Sequence, residues 1–425
     1  MRSNLLWAAI VAAAMLPFAP ARAAEAAATC AKPSCVRPDT LVSATGYGRA
    51  LIAADRAVAG RLAVGMTDTD LCGWYRQAVS VSLDDGASWQ AHCLPFPDDE
   101  FFGWPNDSPA VAVGPQGVLL AAASYDDGAD TEFVGLHRST DNGASWEFIH
   151  AGGTGYFKGD AESVHITVDD SARSPYRGNA YIVYAAVGVQ DDASRIRLSR
   201  STDGGQAWGV IDVSPEWDNS HGVDAPSVAI ARDGTLYLTH TLCSSFQCTG
   251  GDVLLYVSTN GGLSWQPRGT IATVSASHRP LLAVDASKGP YQGRLYLLTD
   301  DGKRVKIRQS SDQGASWSAP VQVAKGHSTQ FMPWASVSPS GDLAVSWMDT
   351  RNDPLGKQFQ PVVALSSDGG ASFSKPLVMD PDLSDAAQTW GSDRVSHAWS
   401  GKQLRAAFHG PNEDGSDGLR LGGLR

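Results

Sequence analysis

Five acidic residues of this chain stand where short apolar stretches give way to turns, and carboxylates in such places can act as general acid and general base. The residues are Asp68, Asp70, Asp160, Glu162 and Asp224. Each also has a simpler interpretation, because an aspartate at the end of a strand commonly accepts hydrogen bonds from its own turn. We expect an acid/base pair from this set, either Asp70 with Asp224 or Asp160 with Glu162.

A second set of polar residues has the chemistry to bind a substrate. Guanidinium groups match the geometry of carboxylate anions, and imidazole and carboxylate groups can also form hydrogen bonds to a ligand. The candidate binding residues are Arg49, Asp107, His240, His278, Arg279, Asp349, Arg351 and Arg394. Asp349 and Arg351 could instead form an ion pair within one loop. No metal or cofactor is expected, because no ligand loop with EF-hand spacing is present. The clusters of aspartates could nevertheless hold Ca²⁺.

The elements that must position these residues are set by a repeat. The phrase S-x-D-x-G-x-x-W, here called the box, occurs six times at intervals of about 57 residues. The six copies begin at Ser82, Ser139, Ser201, Ser258, Ser310 and Ser366. Gly at the fifth position supplies the positive φ of a tight turn, and the Ser and Asp side chains can bond the turn amides. Each box therefore predicts a hairpin whose aromatic residue packs between sheets.

The phrase is similar to the Asp box, or bacterial neuraminidase repeat, and the chain resembles the sialidase-like superfamily of secreted β-propellers over nearly all its mature length. The resemblance implies that the boxes lie on the hairpins between third and fourth strands, away from the active site. We therefore expect the boxes to be structural. Loops that enter the first strands, and loops between second and third strands, then share the opposite face, where the candidate residues fall.

Strand counting gives the number of blades. We predict an all-β fold, a β-propeller of four-stranded antiparallel blades with seven blades, or six as the alternative. Six boxes account for six blades, and strands at Val395, Gln403 and Gly418 remain after the last box. The segment from Thr40 to Thr45 can supply the strand that closes this last blade and removes a free sheet edge.

The resemblance also gives individual residues roles. Arg49, in the sequence GYGRALIA, resembles the arginine of the family's R-I-P motif, with Ala50 and Leu51 in place of Ile and Pro. Asp68 or Asp70 matches the acid/base position, and Asp224 stands near the family's Glu. His240 occupies the place of the second arginine, and Arg351 could be the third. No Tyr stands between Val395 and Trp399, where the nucleophile is expected, so the classical sialidase set is incomplete.

The first residues predict export. Met1 and Arg2 precede an apolar run from Leu5 to Phe18 and an A-x-A cleavage site, so residues 1–23 read as a signal peptide and 24–425 as one propeller domain. The apolar run is short for a membrane span. Six cysteines suit an oxidising compartment. We favour the pairs Cys30–Cys35, Cys72–Cys93 and Cys243–Cys248, with zinc ligation as the alternative.

The net charge of the chain limits the classes of partner it can bind. The formal net charge of −12 becomes −14 once Arg2 and Arg22 are removed, which disfavours nucleic acid and anionic membrane surfaces as partners. A secreted or periplasmic glycoside hydrolase acting on a glycan of unknown identity is our first hypothesis. The alternative is a non-catalytic propeller that binds carbohydrate or protein. A photosystem assembly factor is a third possibility, which the acidic face argues against. The sequence does not indicate an oligomeric state.

Overall fold

A computed structural model describes residues 36–73, 77–95, 104–105, 108–126, 131–152, 157–188, 194–218, 221–245, 248–274, 279–385, 395–412 and 416–424. Seven antiparallel blades form a ring, because the first strand of each blade packs against the first strand of the next until the circle closes. The prediction of seven blades is confirmed, and the six-bladed alternative is wrong. The helix α1 (Thr69–Cys72) joins two strands of the first blade.

Each blade runs from an inner strand at the ring axis to an outer strand at the rim. Blade 1 contains β2 (Tyr47–Ala54), β3 (Leu62–Thr67), β4 (Gln77–Ser82) and β5 (Gln90–Cys93). Blade 2 contains β7 (Ala110–Val113), β8 (Leu119–Asp126), β9 (Thr131–Ser139) and β10 (Glu147–His150), with β6 (Trp104–Pro105) paired to β8. Blade 3 contains β11 (Phe157–Val168), β12 (Ala180–Gly188), β13 (Arg195–Ser201) and β14 (Gly209–Asp212).

The remaining blades repeat this order. Blade 4 contains β15 (Val223–Ile230), β16 (Leu236–Cys243), β17 (Gly251–Ser258) and β18 (Gln266–Val274). Blade 5 contains β19 (Leu281–Val284), β20 (Leu295–Asp300), β21 (Val305–Ser310) and β22 (Val321–Gln322). Blade 6 contains β23 (Gln330–Val337), β24 (Leu343–Asp349), β25 (Gln358–Ser366) and β26 (Leu377–Val378), with β27 (Ser384–Asp385) paired to β25. Blade 7 contains β28 (Ser396–Ser400), β29 (Gln403–Pro411), β30 (Asp417–Leu424) and β1 (Val36–Ser43).

The hydrophobic core lies between blades. Second strands are covered on both faces, and every residue of β24 is buried. Seven apolar clusters each join two neighbouring blades, which closes the circle of contacts. Such short, continuously apolar stretches are typical of strands buried on both sides. Because the blades meet through these clusters, the ring holds the inner strands in fixed relative positions.

The six boxes form the same hairpin, each between the third and fourth strand of its blade. In the first copy, Ser82 Oγ donates to Asp84 Oδ1 at 2.8 Å and accepts from the Gly86 amide at 2.8 Å. Gly86 has φ +85°, and a Cβ there would come within 2.1 Å of Leu421 in the preceding blade. The half-buried box aromatics, Trp89, Trp146, Trp208, Trp265, Trp317 and Phe373, pack against the clusters between blades. This geometry supports the predicted structural role of the boxes.

The N-terminal strand closes the ring. β1 pairs with β30, so the last blade takes its outer strand from the beginning of the chain. The predicted segment, Thr40 to Thr45, overlaps the observed strand Val36–Ser43 but starts four residues late. An ion pair adds to this seam, since Arg405 of β29 and Arg37 of β1 both donate to the Asp85 carboxylate in the first box.

Two disulfides are present in the described residues. Cys72 is bonded to Cys93 and Cys243 to Cys248, as predicted, whereas Cys30 and Cys35 lie outside the described residues. The Cys72–Cys93 bond ties the loop between β3 and β4 to the end of β5. None of the helices in the described part of the chain is long and apolar enough to cross a membrane.

Candidate functional site

One end of the ring, here called the mouth, carries the starts of the inner strands and the loops between second and third strands. The six boxes lie at the other end, the box face, because they follow third strands. The inner strands of neighbouring blades pack against one another around the ring axis. At the axis of a propeller, loops from every blade converge around a concave pocket, and such pockets commonly bind ligands.

Four inner strands contain the same irregularity near the mouth. Their pairing to the second strand shifts register between Tyr47 and Leu51 in β2, Glu162 and His165 in β11, Asp224 and Ser227 in β15, and Phe331 and Trp334 in β23. One residue in each shift has positive φ: Gly48 (+83°), Ser163 (+59°), Ala225 (+53°) and Met332 (+52°). These are β-bulges, which re-aim the neighbouring side chains. Three of them place a side-chain-bearing residue in a costly conformation.

The bulges of blades 3 and 4 are joined to each other. Ser163 Oγ donates a hydrogen bond to Asp224 Oδ1 at 2.7 Å, and the Ala225 amide donates to the same oxygen. Asp224 is half-buried, and its Oδ2 atom has no partner among the described residues. Glu162 precedes Ser163 as Asp224 precedes Ala225, so the two acidic residues occupy equivalent bulge positions on adjacent inner strands. Asp160, opposite Val187, lies two residues nearer the mouth than Glu162.

Asp68 is fully engaged by local groups. It is the N-cap of α1, where its Oδ1 accepts from the Leu71 amide at 2.9 Å and from Thr45 Oγ1 at 2.8 Å. Its Oδ2 accepts from Ser43 Oγ at 2.8 Å, and only 1% of the residue is exposed. Asp70 lies in the first turn of the same helix and is exposed. Of these two predicted acid/base candidates, only Asp70 is accessible to a ligand.

Arg351 and Asp349 form the ion pair that their spacing allowed. Arg351 Nη2 lies 2.5 Å from Asp349 Oδ2, and the Trp347 indole donates to the same oxygen at 2.7 Å. Burial acts to raise the pKa of Asp349, but the hydrogen bonds from Arg351, Trp347 and Ser328 outweigh it and hold the pKa below its usual range. Arg351 is therefore occupied by a buried carboxylate of its own loop, which counts against its predicted role as an anion clamp.

His240 lies inside the seam between blades 3 and 4. Its ring stacks 5.6 Å from Tyr256 and lies 5.4 Å from Trp217, with 1% of the residue exposed. Burial lowers the pKa of His240 to about 4, so the ring is neutral at physiological pH. At the position where the resemblance places an arginine, this chain has an uncharged aromatic packing residue.

Many solved structures are similar to this chain, and three of them are described here. A variant of the α-L-arabinofuranosidase from Fusarium graminearum, solved with an iminosugar inhibitor, is 14% identical, and the match covers 92% of this chain and 98% of that chain at a TM-score of 0.52. A Hadza microbial sialidase is 14% identical over 81% and 72%, with a TM-score of 0.50. A protein of unknown function from Dyadobacter fermentans is 12% identical over 78% and 97%, with a TM-score of 0.50.

The chain shares the β-propeller fold of the sialidase and arabinofuranosidase structures. At these identities the likeness concerns the fold, which hosts several activities. No protein-family model and no curated protein sequence matches the chain.

The remaining predicted residues that the structure describes, Arg49 and Arg279, lie at the mouth in blades 1 and 5. Arg49 is half-buried in the bulge of β2, and half-buried Arg279 shortly precedes β19. Asp107, His278 and Arg394 lie outside the described residues. Among the residues that the structure describes, no three His, Cys, Asp or Glu side chains are grouped so that they could hold a metal ion.

Ser163 is a site residue that the sequence analysis missed. It links the two acidic bulge positions, but its partner stands 61 residues away and nothing near Ser163 indicates a bulge. In β15 and β23 a signal was present, since Pro226 and Pro333 directly follow the residues with positive φ and cannot donate to a β-ladder.

Proposed function

We propose that the protein is a secreted or periplasmic glycoside hydrolase of the sialidase-like propeller fold, with Asp224 and Glu162 as its proton-transferring pair. The observation that carries the proposal is the bond between Ser163 and Asp224, which joins equivalent bulges on adjacent inner strands at the mouth. Glycoside hydrolysis commonly uses two carboxylates, one to protonate the leaving oxygen and one to activate water or attack the sugar.

Different roles are proposed for the two carboxylates. Asp224 accepts hydrogen bonds from the Ser163 hydroxyl and the Ala225 amide on one oxygen, which hold its carboxylate in place for the role of base or nucleophile. Glu162 is then the general acid. Backbone strain at Ser163 and Ala225 supports a functional purpose, because residues in costly conformations cluster at active sites.

A glycan substrate is supported by fold likeness to a sialidase and an arabinofuranosidase. Arg49 and Arg279 are described cations near the mouth that could orient an acidic sugar. Export is supported by the two disulfides, which persist in oxidising compartments. A single propeller domain from residue 24 to residue 425, following a signal peptide, completes the proposal.

The experiment is a hydrolysis screen of the mature protein with sialosides, uronides, α-L-arabinofuranosides and neutral glycosides. Asp224→Asn and Glu162→Gln should each lower kcat on the accepted substrate by about 10²–10⁴-fold, the usual contribution of general acid–base catalysis. Asp233→Asn is the matched control, because Asp233 belongs to the same blade at the box face and its Oδ1 accepts from the Thr235 amide. Normal turnover in Glu162→Gln, with loss in both Asp224→Asn and Asp70→Asn, would instead select the predicted pair of Asp70 with Asp224.

A non-catalytic binding propeller is the second candidate. It is favoured by the local engagement of Asp68 and Arg351, two of the residues expected to serve a sialidase-like reaction. This alternative predicts no turnover on any glycoside in the screen, together with glycan binding that Asp224→Asn leaves intact.

A further inference from the structure

A cavity of about 390 Å³ lies on the box face, in the seam between blades 2 and 3. Its walls are the turn between β7 and β8, the end of the turn that precedes β12, and the box of blade 3. Val118, Leu120 and Val168 provide an apolar floor. The volume falls in the range of small-molecule sites, and the position is at the opposite end of the ring from the mouth.

Two arginines line this cavity. Arg138 is half-buried, and its Nε donates to the Gly204 carbonyl at 2.8 Å, which fixes the guanidinium plane. Among the described residues, the terminal nitrogens of Arg138 have no protein partner. Arg177 is exposed and forms no ion pair within the described chain. Two guanidinium groups that lack carboxylate partners and face one cavity are suited to an anion.

Asp203 also lines the cavity, but its carboxylate is committed to the box. Its Oδ1 accepts from Ser201 Oγ at 2.8 Å and from the amides of Gln206 and Ala207 at 2.9 and 3.0 Å. These donors offset part of its negative charge. The two arginines therefore remain available to an outside ligand.

Gln116 adds an independent sign of function. It lines the cavity from the turn between β7 and β8. Its φ is +63°, a backbone conformation that residues other than glycine rarely adopt. Strain of this kind persists where the surroundings enforce it and is concentrated at ligand sites. The Gln116 amide can both donate to and accept from a hydroxyl group.

We infer that this cavity is a binding site for a carboxylate-bearing sugar of monosaccharide size, such as a hexuronate, separate from the mouth. Arg138 and Arg177 bind the carboxylate, the Gln116 amide bonds a hydroxyl, and the apolar floor packs against the C–H face of the ring. The site does not depend on the proposed activity, because none of its residues belongs to the mouth.

The test is titration calorimetry of the mature protein with glucuronate, glucose and acetate. Glucuronate should bind, and glucose, which lacks the carboxylate, should bind at least about tenfold more weakly, equivalent to about 1.4 kcal/mol. Arg177→Ala should weaken glucuronate binding by at least about tenfold. Arg173→Ala is the matched control: it removes an exposed arginine of the same turn that does not line the cavity, and affinity should stay within about twofold.

Two further variants distinguish a ligand site in this cavity from a strained turn without a ligand and from binding at the mouth. Gln116→Gly relieves the positive φ, so the fold should be at least as stable while glucuronate affinity falls. Asp224→Asn at the mouth should leave this affinity unchanged. The inference is overturned if glucuronate does not bind, if glucose binds equally well, or if acetate matches glucuronate, which would indicate a bare anion site.

Discussion

Carboxylates at the mouth differ chiefly in the donors that surround them. Asp68 receives three side-chain or backbone donors across both oxygens, and Asp349 receives an arginine and an indole. Asp224 accepts hydrogen bonds on Oδ1 alone, and its Oδ2 has no partner among the described residues. The first two residues therefore brace loops, whereas Asp224 retains an acceptor for a ligand. Identical residue types at similar strand ends serve different purposes because of these neighbours.

Replacing Asp68 by Ala should destabilise the fold by about 1–3 kcal/mol, because the helix cap is lost and the hydroxyls of Ser43 and Thr45 lose their buried acceptor. Asp70→Ala, two residues along the same helix, should change stability by less than about 0.5 kcal/mol, since that side chain is exposed. Urea denaturation of both variants measures the difference. Equal losses would show that the cap interactions do not stabilise the native loop.

Sequence alone could identify such residues only when their partners were local. The Asp349–Arg351 ion pair spans two positions and was readable as an alternative. The Ser163–Asp224 bond spans 61 positions and depends on two bulges that face each other across a blade seam. No periodicity or turn motif near either residue encodes that meeting, so the candidate pair was recognised only as two members of a set of five carboxylates.

At the level of the element, the box is one turn built six times, and in every copy the first serine hydroxyl donates to the third residue and accepts from the glycine amide. The copy with Asn260 shows which of them depend on charge, since Asn260 Oδ1 still accepts from Ser258 Oγ at 2.9 Å and from the Ser264 amide at 3.0 Å. Its Nδ2 donates to Ser264 Oγ, reversing the bond that four of the five aspartate copies accept from a serine hydroxyl. The turn therefore forms with either side chain, and the carboxylate adds a dependence on pH.

Asp141→Asn should leave the fold intact at neutral pH and make it less sensitive to acid. Hydrogen bonds from the Ser145 hydroxyl and amide and the Ser139 hydroxyl lower the pKa of Asp141 to about 2. Because this pKa lies below its ordinary value of 3.8, the stabilisation is complete above about pH 4 and is lost as pH falls toward 2. The urea midpoint measured from pH 5 to pH 2 should fall less steeply in the variant.

The reverse substitution is the control for the box. Asn260→Asp places a carboxylate in the one copy that lacks it, so the midpoint should fall more steeply with acid than in the wild type. If both variants kept the wild-type slope, the acid sensitivity would arise outside the boxes.

At the scale of the whole molecule, the blade number followed from arithmetic on the repeat, because a 57-residue spacing leaves three strands after the last box. Closure by an N-terminal strand was readable for the same reason, since a blade short of one strand has an open edge. The pairing of β9 with β11, which merges blades 2 and 3 into one sheet, was not predicted. It depends on how two loops meet in space, and the repeat carries no information about that.

The ring should be weakened at its closing seam by the loss of one carboxylate. Asp85→Ala removes the partner of Arg405, whose side chain is only 1% exposed, and one bond from Arg37. We expect a loss of about 3 kcal/mol, the lower end of the range for breaking a buried ion pair from one side.

Asn142→Ala is the matched control, because Asn142 holds the same place in the next box with φ +59° against +64° for Asp85. Both variants place alanine in a left-handed conformation, so the backbone cost cancels and the difference in unfolding free energy reports the ion pair. Equal losses in urea denaturation would mean that the β1–β30 ladder and the apolar cluster between blades 7 and 1 hold the seam closed without the ion pair.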